Sequence, residues 1–115
     1  MLLNLGEYTV NYFDSISSIS DQYDAYLVDV WGVLHDNAKT YPGAVNCLAQ
    51  LKENNKSIIL VSNAARRSDV LAKEFTTFDI TDGLYDHIVS SGELAWNAFF
   101  EGKDKQLQDL GSSYY

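Results

Sequence analysis

Asp29, the pair Ser62-Asn63 and the pair Ser90-Ser91 share one setting: each lies at the end of a short apolar run rich in β-branched or aromatic residues. The runs are residues 25–30 (AYLVDV), 57–62 (SIILVS) and 87–90 (HIVS). A carboxylate such as Asp29 is a potential nucleophile and a ligand for a hard cation, while a hydroxyl and an amide offer hydrogen bonds to the oxygens of an anion. Taken singly, these residues have plainer readings. Asp29 can cap a turn by accepting backbone N–H bonds, and Ser62 can cap a following helix. The chemical reading requires that the three ends converge, which depends on the elements that carry them.

All three runs have the composition of β-strands. The first two are apolar nearly throughout instead of alternating, which predicts parallel strands covered on both faces. Their first residues, Ala25, Ser57 and His87, are spaced by the roughly 30 residues of a strand, helix, strand unit. Pro42 marks a helix start, and Ala44, Cys47, Leu48 and Leu51 form one face before Asn54-Asn55 interrupts the pattern. Ser68 and Asp69 read as an N-cap and an acidic first turn, with Val70, Leu71 and Phe75 as the buried stripe. Ser90 and Glu93 have capping-box spacing, with Leu94, Ala95, Ala98 and Phe99 as the apolar face of a last helix that ends near Gly102. A weaker helical pattern covers residues 8–19, with Tyr12, Ile16 and Ile19 on one side. Right-handed crossovers turn this order into an α/β fold, a partial Rossmann-like parallel sheet with flanking helices. In such sheets ligands gather beyond the C-terminal strand ends, where Asp29, Ser62 and Asn63 stand.

A chain of 115 residues fits one small domain. Here that domain consists of a helical segment over residues 1–22 and strand-helix repeats over 23–115. Sixteen acidic residues against eight basic ones give a net charge of -8, a field that repels nucleic acid and anionic membranes, so neither is an expected partner. Any anionic substrate has to be held locally, by a bound cation, a helix N-terminus or a few donors. Cys47 is the single cysteine, so no intramolecular disulfide forms, and no window approaches the ~20 apolar residues of a membrane span. Both features fit a soluble, cytoplasmic protein.

The segments LVDVWGVLHDN (27–37), YPGAVNCLAQLKENNKSIILVSNAARRS (41–68) and YDHIVSSGELAWNAF (85–99) resemble the haloacid dehalogenase-like hydrolases, most closely their class IIA branch of sugar-phosphate and nucleotide phosphatases. The resemblance runs from Tyr23 onward and implies the N-terminal half of that α/β core, without its cap domain. It places the family's nucleophile at Asp29, which would form an aspartyl-phosphate on a small phosphorylated metabolite. It also implies Mg²⁺ held by the Asp29 carboxylate and the Trp31 backbone carbonyl, with Ser62 and Asn63 against the phosphoryl oxygens. Gly32 and Asn37 fall where the family's backbone path favours positive φ.

Two departures bear on activity. Many family phosphatases carry a second aspartate two residues after the nucleophile, as general acid and base, and this chain has Trp31, whose indole cannot shuttle a proton. His35 or Asp36 could take over that task if the loop folds back over Asp29. The later lysine and acidic pair that complete the family's site also have no counterpart here; Lys103 and Lys105 read as solvated surface charges. The expected alternative is therefore a catalytically inactive fragment or pseudoenzyme that acts as a binding or interaction module. The family fold would flank the first strand on both sides, so a missing neighbour leaves its apolar edge open to a second copy of the chain. A receiver-like domain is disfavoured because its phospho-accepting aspartate ends the third strand, and no G-x-G-x-x-G or P-loop motif is present.

Overall fold

Three parallel strands form the centre of the molecule: β1 (Ala25–Asp29), β2 (Ser57–Ser62) and β3 (His87–Ser90), in the order β1-β2-β3. The computed structural model describes residues 12–102, 104, 105 and 107. Between the strands run α1 (Ala44–Glu53) and α2 (Ser68–Phe75), and α3 (Ser91–Phe100) follows β3. The register pairs Asp29 with Val61 and Ser62 with Ser90. The α/β architecture and the bounds of β2 and β3 agree with the sequence reading. The first strand closes one residue earlier than expected, because Val30 leaves the ladder to accept bonds from the N–H groups of Val33 and Leu34.

Partners in parallel register share a face of the sheet. Tyr26 and Val28 therefore lie on the same side as Ile58 and Leu60, and both of the latter are fully buried. On this side α1 contributes Leu48 and Leu51 and α2 contributes Leu71 and Phe75, with Val30, Leu34 and Ile80 completing the core. The other side differs from the expectation of two covered faces. Leu27 is 76% exposed and Val61 is exposed as well. The long apolar runs mark a sheet built for two covers, of which the described residues supply one. The apolar face expected on α3 is likewise uncovered: none of its residues is buried, and Leu94 is among the exposed ones.

Helix α1 begins after Pro42 and Gly43, whose φ of 82° is the left-handed conformation that glycine adopts without a Cβ penalty. At α2 the cap position is Arg67, not Ser68, which already lies within the first turn, and Val70 is exposed while Leu71 and Phe75 form the buried stripe. The helix expected over residues 8–19 does not form in its described part, which holds one short 3₁₀ turn, Ile16–Ser18, followed by a second at Ser20–Gln22. Its serines explain why. The Ser18 hydroxyl donates to the Ser15 carbonyl at 2.6 Å and the Ser20 hydroxyl to the Ser17 carbonyl at 3.2 Å, local bonds that compete with a helical ladder. Tyr12 and Ile16 are exposed, so no buried stripe offsets that competition. Residues 8–11, Lys103 and 111–115 lie outside the described residues, and Lys105 is exposed.

Asp86, immediately before β3, ties three elements together. Its carboxylate accepts the Ile58 N–H at 2.7 Å and the Lys52 ammonium at 2.6 Å, and its own N–H donates to the Ile58 carbonyl at 2.8 Å. The Lys52 bond, followed by the Ile58 N–H, holds this carboxyl below its ordinary value. No helix of the described residues is long and apolar enough to cross a membrane.

Candidate functional site

Beyond β1 the chain folds into a short flap. Gly32, at φ 80°, donates its N–H to the His35 carbonyl at 2.8 Å, and isolated bridges join Trp31 to His35 and His35 to Thr40. The Asp36 carboxylate accepts the N–H groups of Ala38 at 2.9 Å and Lys39 at 2.8 Å, closing the tip, and Asn37 takes φ 69° there. The N–H bonds from Lys39 and Ala38 lower the Asp36 pKa, so this side chain is ionised and already committed to its own turn. The His35 ring is buried and stacked on Phe78 at 4.0 Å, with Nδ1 accepting the Asn37 N–H at 3.1 Å. That bond puts the proton of the neutral ring on Nε2, which is buried and has no partner among the described residues. His35 thus anchors the flap from below, and the Thr40 hydroxyl adds a 2.6 Å bond to the Phe78 carbonyl.

A cavity of about 150 Å³ opens between the flap, the tip of β2 and α2. Trp31 and Asn37 line it from the flap, Ser62, Asn63 and Arg66 from the β2 tip, and Glu74 from α2. The structure therefore gathers Trp31, Ser62 and Asn63 around one space. Asp29 is not on its wall; it stands exposed at the end of β1, one residue before Val30, which is. The Ser62 hydroxyl is half-buried and accepts the Ala64 N–H at 3.2 Å. Among the described residues no three His, Cys, Asp or Glu side chains gather as a metal cluster. One carboxylate and a carbonyl fit a Mg²⁺ ion that keeps several waters and takes its remaining oxygens from a phosphate.

The loop that carries Asn63 and Arg66 is clamped by the start of α3. The Ser90 hydroxyl donates to the Arg66 carbonyl at 2.7 Å and accepts the Glu93 N–H at 3.1 Å, while the Gly92 N–H donates to the Ala64 carbonyl at 3.0 Å. Half of the expected capping box is thus present. The Glu93 carboxylate completes a different bond set: it accepts from Arg67 Nε at 3.1 Å and Nη2 at 2.9 Å, and from the N–H and hydroxyl of Ser68, both at 3.0 Å. It thereby supplies the cap that α2 lacks. The Arg67 fork, then the Ser68 N–H, brings the Glu93 pKa down to about 2. Arg67 in turn lies 4.5 Å from the centre of the Trp96 ring, a cation–π contact. Sequence reasoning found the Ser90 and Glu93 spacing but not this clamp, because its partners lie more than 20 residues upstream.

Gly92 has no room for a side chain. A Cβ there would sit 2.5 Å from the carbonyl oxygens of both Ala65 and Arg66. Gly92→Ala is expected to cost about 1–3 kcal/mol in urea denaturation and to shift the amide resonances of residues 62–68, since backbone, not a flexible side chain, has to move. Wild-type stability with unmoved resonances would show that α3 does not hold this loop.

Known proteins bear on what such a sheet end does. A family model described as haloacid dehalogenase-like hydrolase matches residues 26–112. A crystal structure of a hydrolase of the haloacid dehalogenase-like family from Brucella suis 1330 superposes with a TM-score of 0.70 at 27% identity, over 74% of this chain and 33% of that one. The chain thus spans about a third of that protein's length. Among curated proteins none matches. With a family match over most of its length and a parallel sheet that superposes on that of a family member, the chain belongs to the haloacid dehalogenase-like hydrolases.

Proposed function

We propose that the chain carries the nucleophile half of a phosphatase that hydrolyses small phosphorylated metabolites, of the class IIA kind. The carrying observation is the placement of Asp29 at the tip of β1, directly before Val30 and Trp31, which line the cavity together with Ser62 and Asn63 from the neighbouring strand end. In this reading an Asp29 carboxylate oxygen attacks phosphorus. The P–O bond to the leaving group breaks as the new one forms, giving an aspartyl-phosphate and an alkoxide. Ser62 and Asn63 donate hydrogen bonds to the phosphoryl oxygens. A Mg²⁺ ion at Asp29 and the Trp31 carbonyl would neutralise charge on the phosphate when bound. Trp31 provides no proton, so the alkoxide takes one from water, and the hydroxide or another water then cleaves the aspartyl-phosphate, releasing inorganic phosphate and regenerating the Asp29 carboxylate. The single cysteine, Cys47, supports placing this chemistry in the reducing cytoplasm. The test is Mg²⁺-dependent turnover of p-nitrophenyl phosphate by this chain and by Asp29→Asn.

A second reading, a non-catalytic binding module, is favoured by Trp31 in the acid's place and by the lack, among the described residues, of three clustered His, Cys, Asp or Glu side chains. Both readings share one proposal about partners. β1 pairs with β2 alone among the described strands, leaving a second edge open beside the exposed Leu27. Such an edge recruits another strand, here from a second copy of the chain. Light scattering is expected to show mass rising with concentration, and Leu27→Lys is expected to return it to the monomer value. A monomer at high concentration in the unmodified chain would count against edge pairing.

A further inference from the structure

We infer that Arg66 and Glu74 form an exchangeable ion pair that makes the 150 Å³ cavity selective for dianionic phosphate, with Glu74 occupying Arg66 until such a ligand displaces it. The inference rests on the reading that Ser62 and Asn63 face a phosphoryl group, and it adds the charge that those two neutral side chains lack.

The cavity wall is unusual for a chain with twice as many acids as bases. Its polar lining is rich in donors: the amides of Asn37 and Asn63, the Ser62 hydroxyl, the Trp31 indole and the Arg66 guanidinium. Glu74 is the single carboxylate among the lining residues, and its Oε2 accepts a hydrogen bond from Arg66 Nη1. The pair is only partly withdrawn from water, at 56% side-chain exposure for Arg66 and 33% for Glu74. Solvent-exposed pairs of this kind are weak, so a better anion can open this one.

Which anion does so follows from charge. A carboxylate ligand offers Arg66 no more than Glu74 already provides, so it gains nothing by displacing it. A phosphate monoester carries roughly 1.5 to 2 negative charges near neutral pH and three acceptor oxygens, enough to engage Arg66 and the neighbouring amides together. Arg66 is well placed to respond, because its backbone carbonyl is pinned by the Ser90 hydroxyl at 2.7 Å while its side chain remains exposed. A guanidinium also donates two parallel hydrogen bonds from a fixed planar fork, a preset geometry that a lysine ammonium lacks.

The experiment is an NMR titration of the intact chain with inorganic phosphate and, separately, with acetate, following the amides of Ser62, Asn63 and Arg66. Phosphate is expected to shift all three and acetate to leave them in place. Glu74→Gln is expected to tighten phosphate binding about five- to tenfold, by releasing Arg66 and removing a like charge, and to admit acetate. Arg66→Gln is expected to weaken phosphate binding at least about tenfold, with Arg66→Lys intermediate. Unchanged phosphate affinity in Glu74→Gln, or in Arg66→Gln, overturns the inference, as does equal binding of acetate and phosphate by the unmodified chain. Asp29→Asn separates this from the catalytic reading: loss of turnover bears on Asp29 alone, whereas phosphate binding that still depends on Arg66 and Glu74 supports the exchange pair whether or not the chain is a catalyst.

Discussion

Asp29→Asn is expected to lower Mg²⁺-dependent hydrolysis of p-nitrophenyl phosphate by roughly 10⁴-fold or more, the scale on which enzymes lose rate when a covalent nucleophile is removed. The amide matches the carboxylate in shape but neither attacks phosphorus nor carries the charge that holds a hard cation. Because Asp29 is exposed at the end of β1, the substitution leaves no buried group without a partner. Stability is therefore expected to stay within about 0.5 kcal/mol of the unmodified chain, which separates lost chemistry from lost fold. Equal turnover by the two proteins would remove Asp29 from the nucleophile's role. No turnover by either would favour the binding-module reading.

Trp31→Asp is expected to act in the opposite direction, on the leaving group. General acid catalysis is worth about 10²- to 10⁴-fold, and it matters most where the departing oxygen is a strongly basic alkoxide. p-Nitrophenolate leaves as a stabilised anion and needs little help. The substitution should therefore raise turnover of an alkyl phosphate by that factor while changing the aryl substrate much less. Trp31 is 62% exposed and contributes to no core cluster, so the exchange disturbs little packing. The readout is the ratio of alkyl to aryl rates at fixed pH. A ratio that does not move would place residue 31 away from the departing oxygen.

Much of this arrangement was legible before any coordinates. β2 and β3 were visible as short apolar runs bounded by polar residues, and α1 through Pro42-Gly43 and its repeating apolar positions. The positions of Asp29 and Ser62 followed from the same local patterns, because a residue at the end of an apolar run is a residue at a strand tip. The positive φ at Asn37 agrees with the resemblance, which puts Asn37 where the family often has glycine, and Gly32 likewise takes the tight backbone path that the resemblance implies. Failures came where distant residues decide. The exposure of Val70 and of the apolar face of α3 depends on what packs against each helix, information absent from a helical periodicity. Glu93 has the spacing to cap its own helix, yet its carboxylate bonds Arg67 and Ser68, a competition that local spacing cannot rank. Asp36 read as one of two residues that could move a proton if the flap folded back, and the two backbone N–H groups that its carboxylate accepts lie in a turn that no local pattern announced.

Asp86 binds the first N–H of the buried stretch of β2 with one oxygen and an α1 lysine with the other. Side chains along a strand alternate between faces, so sliding β2 by a single position would send Ile58 and Leu60 outward and present Val61, an inert isopropyl group, where Ser62 now lines the cavity. Asp86 thus works as an indexing pin at the far end of the sheet. Its hold on Ile58 bears on which letter of the sequence arrives at the cavity, some four residues away, without ever touching it.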